Sequence, residues 1–362
     1  MNIAIVFGGK SFEHDVSIVT AKQIYNVANV KHNVSLVYID KNDNFTLYAN
    51  KEFCFDDFKG NHKFLPLHFD SGRLIYKNGI MSKSVKIDCA IVCCHGGNGE
   101  NGVVQSALSM AKIPVSSGSQ FALACAMNKW QTKNMLKALK INTINGVLVH
   151  SQNDTQKTIE LVETNLSYPV IVKPNNGGSS IGIEIAKNRE ELQKALQIGF
   201  CFDSQCLVET ALENFEEYNQ AVLGCDDNVE LSYIECPTKA KDILSFEDKY
   251  LSSSSKTKCG MKGVKRKKIN LSAFVKKRID EYSQKIFCEF SFFGVVRIDY
   301  IYDKINKKLY VNEINSVPGS LAIYFFAEKH SALWFVDKLI EIAIKKYKEN
   351  LKINKNYATK LF

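Results

Sequence analysis

Two pairs of polar residues in "GVVRIDYIYDKINKKLYVNEINSVPG" (294–319) have the types and spacing for chemistry: Arg297 and Asp299 on one apolar run, Glu313 and Asn315 on the next. The stretch reads as strand, turn, strand, and because side chains alternate along a strand each pair lies on one face. Carboxylate and amide oxygens are the hard donors that Mg²⁺ takes alongside nucleotide phosphates. A polar hairpin face exposed to water uses the same residues. Asp299 and Glu313, however, stand among apolar neighbours, where an unpaired carboxylate is costly and a cation removes the cost.

A second stretch, "VKPNNGGSSIGIEIAK" (172–187), sets Lys173 just ahead of Gly177, Gly178, Ser179, Ser180 and Gly182. Backbone without side chains lets several amide N–H groups converge on an anion, and the serines add hydroxyl donors. Gly and Ser also dominate ordinary hairpin turns, so the loop alone leaves both readings open. It is neither a GxxxxGK[ST] loop nor a GxGxxG turn after a strand, which disfavours the two common nucleotide folds.

The elements that must position these groups follow from periodicity. Apolar strands "IAIVF", "SLVYI" and "CAIVCC" alternate with helical stretches near 17–28 and 101–111, and "IPVSS" follows. Such alternation predicts a parallel sheet covered on both faces, an α/β unit. From about 120 the texture changes: one helix, "FALACAMNKWQTKNMLKAL", leads to strands "GVLV", "YPVIVKP", "IGIEIA" and "QCLVETAL" around a helix at 189–199. A longer α+β region runs from about 212 to residue 362.

Composition excludes several classes. With 45% hydrophobic and 23% charged residues the chain is an ordinary globular protein of two or three compact units. The net charge of +9 comes from 47 basic against 38 acidic residues spread along the chain, and only "KGVKRKK" (262–268) is concentrated, so no nucleic-acid partner is expected. Eleven cysteines without a spaced framework or a CxxC pair read as reduced thiols of a cytoplasmic protein. "MNIAIVFGGK" reads as a first strand rather than a signal peptide, and no apolar run is long enough to span a membrane.

The motifs "FGGKSFEHDVSIVTA", "CHGGNGENGVVQSAL", "MNKWQTK", "VKPNNGGSSIG", "FEDKY" and "RIDYIYDKINKKLYVNEINSVPG" occur in the order found in D-alanine–D-alanine ligases of the ATP-grasp superfamily, which the chain resembles from residue 3 to about 326. The resemblance implies an ATP-grasp fold of class α/β. An N-terminal parallel α/β substrate domain would span 1–120, a central ATP-grasp domain 121–211, and a C-terminal ATP-grasp and metal-binding domain 212–362, the two α+β domains enclosing the nucleotide. It implies ATP-dependent joining of two D-alanines through an acyl phosphate, to give D-alanyl-D-alanine for peptidoglycan synthesis, by a cytoplasmic homodimer.

Carried over residue by residue, Lys129 and Lys173 resemble the lysines that hold the ATP phosphates, and 177–182, with Gly178 and Ser180, the lid over them. Glu209 and the backbone of Ala211 and Leu212 match the adenine segment, and Glu217 the ribose contact. Glu13 resembles the acid that fixes the first D-alanine's ammonium, joined to Ser179 and Tyr250, with His95 a substrate-side donor nearby. Arg297 and the Gly319 amide match the oxyanion site, and Lys249 the lysine beside the γ-phosphate. Asp299, Glu313 and Asn315 match the ligands of two Mg²⁺ (or Mn²⁺).

Two departures bear on the second substrate. "SVPGSLAIYFF" carries Tyr324 where family members place the serine that holds the second D-alanine's carboxylate, leaving Lys249, Ser320, Tyr324 or backbone amides for that task. The closing loop "LSSSSKTKCGMKGVKRKK" is longer and more basic than usual. A D-alanine ligase with D-serine or D-lactate as acceptor, and an ATP-binding paralogue without activity, are the alternatives. Retention of Arg297, Asp299, Glu313 and Asn315 together speaks against the latter.

Overall fold

The computed structural model describes residues 1–50, 53–58, 64–237, 266–268 and 271–353. Its first sheet is built from β1 (Asn2–Gly8), β2 (Asn33–Ile39), β3 (Phe45–Tyr48), β4 (Phe64–Asp70), β5 (Arg73–Asn78), β6 (Met81–Lys86) and β7 (Cys89–Val92), in the order β6-β5-β4-β3-β2-β1-β7. The expected parallel core is β2-β1-β7. Strands β3 to β6 extend it as an antiparallel meander that the apolar periodicity did not disclose, because those strands are short and mostly half-exposed.

Alternation along β1 explains how the sheet is covered. Ile3, Ile5 and Phe7 face α1 (His14–Ala28), while Ala4 and Val6 face Val104 and Leu108 on the opposite side. A short helix α2 (Gly97–Glu100) leads to α3 (Val103–Met110), which carries those two residues.

The helix expected over 121–139 is two helices, α4 (Gln120–Met127) and α5 (Lys129–Ala138). Asn128 between them is extended, and its side-chain oxygen caps α5 by accepting from the Gln131 amide at 2.9 Å. Its amide group also donates to the Asn176 side chain at 2.8 Å, so a tertiary contact sets the break.

A four-stranded antiparallel sheet follows, β10-β9-β11-β8, from β8 (Gly146–His150), β9 (Val170–Pro174), β10 (Glu184–Ala186) and β11 (Gln205–Thr210). Helices α6 (Thr155–Asn165) and α7 (Arg189–Phe200) bury one face of it through Ile159, Val162, Leu192 and Leu196. The third sheet, β14-β13-β12-β15-β16, comprises β12 (Phe215–Cys225), β13 (Asn228–Pro237), β14 (Arg266–Lys268), β15 (Phe293–Asp303) and β16 (Lys308–Asn315).

Val296, Ile298 and Tyr300 on one face of β15 pack against α8 (Ala273–Glu289). The other face presents Arg297, Asp299 and Ile301 to a cavity. The last helix, α9 (Ala332–Lys352), returns to the first sheet: Phe335, Leu339 and Ala343 share a core with Ile3, Ile5 and Phe7, and with Leu223 and Val295 of the third sheet.

Candidate active site

The cavity lies between the second and third sheets. Lys173 and Glu209 line it from β9 and β11, Glu217 and Asn219 from β12, Arg297 and Asp299 from β15, and Lys129 and Lys133 from α5. Residues 177–181 cover it, and Leu136, Ile171, Leu207, Ile301 and Val311 supply an apolar wall suited to a planar base.

The expected strand, turn, strand forms, and its register sets Asp299 opposite Glu313 and Arg297 opposite Asn315. A shift between Asp299 and Tyr300 makes Asn312 an extra residue on β16, so the consecutive Asn312 and Glu313 both reach the cavity. Asn312 accepts from the Lys173 ammonium at 3.3 Å, tying the two sheets together.

Arg297 grips Asp299 in a two-point ion pair, Nε–Oδ1 and Nη2–Oδ2 both 2.7 Å, and the Asn315 amide donates to the same carboxylate at 3.1 Å. Among the described residues no three His, Cys, Asp or Glu gather as a metal cluster. The donor set on this face is two carboxylates and an amide oxygen, without thiol or imidazole. That chemistry fits a hard divalent cation, which Asp299, Glu313 and Asn315 would hold.

Glu209 is 4% exposed and joins two lysines, Lys133 at 2.5 Å and Lys173 at 2.6 Å. Burial alone would raise its pKa, but the two ammoniums outweigh burial and hold it down at about 2. Burial also pulls Lys133 below the ordinary lysine range, its attraction to Glu209 only partly offsetting that. The carboxylate thus orders the cationic side of the cleft as well as lining it. Ala211 and Leu212 are not among the lining residues, and the Ala211 amide donates to the Pro169 carbonyl at 3.0 Å.

The glycine loop is anchored at its base. The Lys129 amide donates to the Asn175 carbonyl at 2.9 Å, and the Trp130 amide to the Asn175 side chain at 2.9 Å. Asn176 donates through its backbone amide to Asp203 at 2.6 Å. The Lys129 ammonium, its pKa lowered chiefly by burial, donates to the Pro174 and Gly177 carbonyls. Ser179 and Ser180 have left-handed backbones, φ 54° and 60°, and the Ser179 hydroxyl donates to the Glu13 carboxylate. Gly178 lies so close that a Cβ there would sit 3.1 Å from Glu13 Oε2.

A smaller cavity adjoins, lined by Glu13, His95, Glu100, Lys129, Ser179, Arg297, Glu313, Val317 and Gly319. It shares Glu13, Lys129, Arg297 and Glu313 with the larger one, so the two cavities form one continuous site. Glu100, which the sequence reading passed over, accepts from the Gly96 amide at 3.0 Å and the Val317 amide at 3.3 Å. Burial, with the nearby Glu13 charge, raises its pKa to about 7. The "HGGNGENG" motif that flagged His95 contains Glu100 as well.

His95 is buried, and both ring nitrogens are engaged inside the protein: Nδ1 with the Val317 carbonyl and Nε2 with the Thr20 hydroxyl, each at 2.8 Å. Burial pulls its pKa below the ordinary histidine range against the pull of Glu13. Ser320 faces a different cavity, beside Gln23, Ile24 and His330. Of the described groups weighed for the second carboxylate, Tyr324 is the side chain that reaches the main cavity. Lys249 and Tyr250 lie outside the described residues, as does most of the basic closing loop.

Two antiparallel sheets gripping a lysine-lined cleft under a glycine loop define the ATP-grasp class. The sequence pattern of the D-ala D-ala ligase N-terminus matches residues 2–118, and that of the D-ala D-ala ligase C-terminus matches 135–344. The D-alanine–D-alanine ligase of Thermosipho melanesiensis is 32% identical over 357 residues, covering 96% of this chain and 95% of that one. The D-alanine-D-alanine ligase of Coxiella burnetii superposes with a TM-score of 0.82 at 24% identity, over 97% of this chain and 96% of that one. A D-Ala:D-Ser ligase from Enterococcus faecalis superposes at 0.78 and 23% identity, over 94% and 99%. The chain belongs to the D-alanine–D-alanine ligase family.

Proposed function

We propose that the chain joins two D-alanines at the expense of ATP. The observation that carries this reading is the Ser179–Glu13 hydrogen bond, which draws the glycine loop onto the substrate-side acid and makes the two cavities continuous. The first D-alanine's carboxylate attacks the γ-phosphorus, ADP leaves, and the resulting acyl phosphate is attacked by the second D-alanine's amine, expelling phosphate. Lys129 and Lys173 neutralise the charge on the transferring group, and the loop amides of Gly178 and Ser180 cradle it.

Glu13, held by Ser179, fixes the first ammonium, while Arg297 and the Gly319 amide stabilise the tetrahedral oxyanion. Glu217 takes the ribose, and Glu209 orders the lysines beside the adenine wall. Asp299, Glu313 and Asn315 would hold two Mg²⁺ or Mn²⁺. When bound, these ions offset phosphate charge and polarise the γ-phosphoryl group. Units bounded at 1–120, 121–211 and 212–362, a homodimer and a cytoplasmic location complete the proposal. Among the described residues no helix is long and apolar enough to cross a membrane.

At the acceptor subsite Tyr324 is the side chain of this run that reaches the main cavity, Leu321 and Phe325 being buried in the core and Ile323 lining the cavity beside Ser320. An aromatic ring there packs against a methyl group and rewards a hydroxyl less. The test is ATP-dependent phosphate release with D-alanine alone, then competition among D-alanine, D-serine and D-lactate at equal concentrations. D-Alanyl-D-alanine should dominate, with weak acceptor affinity because one charge-assisted hydrogen bond, worth about 1.5–3 kcal/mol, is missing. Preference for D-serine or D-lactate would reassign the acceptor, and no ligation with any acceptor would leave a non-catalytic ATP-binding protein.

A further inference from the structure

Thr20, on α1 and 1% exposed, is bonded to two groups far along the chain. Its Oγ1 lies 2.8 Å from His95 Nε2 and 3.2 Å from the Ser320 amide nitrogen. His95 Nδ1 in turn lies 2.8 Å from the Val317 carbonyl. A carbonyl only accepts, so Nδ1 carries the imidazole proton. A backbone amide only donates, so the Thr20 oxygen accepts from Ser320; burial favours a neutral His95, and with Nδ1 protonated that leaves Nε2 bare to accept the Thr20 hydroxyl proton. The sequence of donors is therefore closed: Ser320 N–H to Thr20, Thr20 O–H to His95, His95 Nδ1–H to Val317.

This chain of bonds clasps the backbone on both sides of Pro318 and Gly319. The clasp matters because the backbone there is strained: Ser320, Leu321 and Ala322 all hold left-handed conformations, φ 53°, 48° and 53°. Such a run in residues with a side chain persists only where the surroundings fix it.

We propose that Thr20 and His95 are positioning residues that hold the Gly319 amide in place through a neutral, Nδ1-protonated imidazole, and that His95 itself does not donate to substrate. The inference rests on the ligase reading for what the Gly319 amide does. It differs from the family expectation for His95, because both ring nitrogens are already committed to Thr20 and Val317.

Thr20→Val keeps the shape and removes the hydroxyl; Thr20→Ser keeps the hydroxyl. Misplacing an oxyanion donor acts on the transition state, so Thr20→Val should lower kcat about 10–100-fold while KM for ATP stays within about two-fold. Thr20→Ser should restore most of kcat. Parental kcat in Thr20→Val, or no rescue by serine, would overturn the proposal. Nitrogen NMR of the imidazole in the unmutated protein tests it without any variant. The Nδ1–H tautomer of His95 is expected, and an Nε2–H tautomer or an imidazolium would overturn it. Absence of D-alanine-dependent phosphate release by the parent protein would instead defeat the ligase reading, leaving the tautomer measurement to decide the clasp.

Discussion

The β15–β16 hairpin and the segment from Ser316 to Phe326 meet at the same site but place their groups by different means. In the hairpin, cross-strand register puts Asp299 opposite Glu313, and side chains are the groups proposed to act. In the segment the useful group is backbone, and its place is set by bonds to Thr20, His95 and Glu100, up to 300 residues away in sequence. A regular element can therefore be damaged only at its own site residues, whereas an irregular one can be damaged from a distance.

The sharpest way to break that contrast is to remove the hairpin's own oxygens. Glu313→Gln and Asp299→Asn should each leave a folded protein whose turnover in Mg²⁺ falls by about 10³-fold, several kcal/mol of transition-state charge stabilisation. Circular dichroism and phosphate release check the two halves of that statement. Near-parental turnover in either variant would show that register alone does not make these residues ligands.

A second strand-borne group should act on stability. Glu209→Gln would leave Lys133 and Lys173 buried without their counter-charge, at a cost of about 3–5 kcal/mol in urea unfolding. The pH dependence has a definite sign. Glu209's folded pKa, about 2, lies below the ordinary carboxylate range, so its contribution is full above that range. It is lost as the pH falls towards 2, and Glu209→Gln should flatten that acid limb.

The smallest effect is expected in the glycine loop, which like the 316–326 segment is placed by its surroundings. Gly182 has φ +70°, and a Cβ there would sit 2.5 Å from the Phe202 ring. Gly182→Ala should raise KM for ATP about five- to twenty-fold, the left-handed cost of about 1–2 kcal/mol. Amide exchange across 176–183 should slow when ATP is added to the parent and slow less in the variant. Equal slowing would make this loop a plain turn rather than a lid.

The same contrast explains what could be read in advance. Arg297, Asp299, Glu313 and Asn315 were legible because period-two spacing in apolar runs is a local signal. Asn312 was not, since the register shift that turns it inward is a property of the paired strands. The break at Asn128 was hidden in an unbroken helical pattern and depends on Asn176 at the base of the glycine loop. Thr20 and Glu100 gave no signal beyond lying inside motifs, because each has a partner among the backbone groups of a distant segment with no periodicity. The loop at 177–182 was visible as glycine and serine, and its link to Glu13 through Ser179, which the family resemblance implied and no local pattern carries, is formed in the fold.

The returning helix α9 ties the two ends of the chain into one core, Phe335, Leu339 and Ala343 lying against Ile3, Ile5 and Phe7. On a ribosome those groups are made far apart in time. At ordinary synthesis rates the part of that face which α1 leaves open waits on the order of half a minute for α9. The sheet that holds β1 is thus made long before the helix that finishes it, and a nascent chain stalled before α9 would carry that unfinished face as its weakest point.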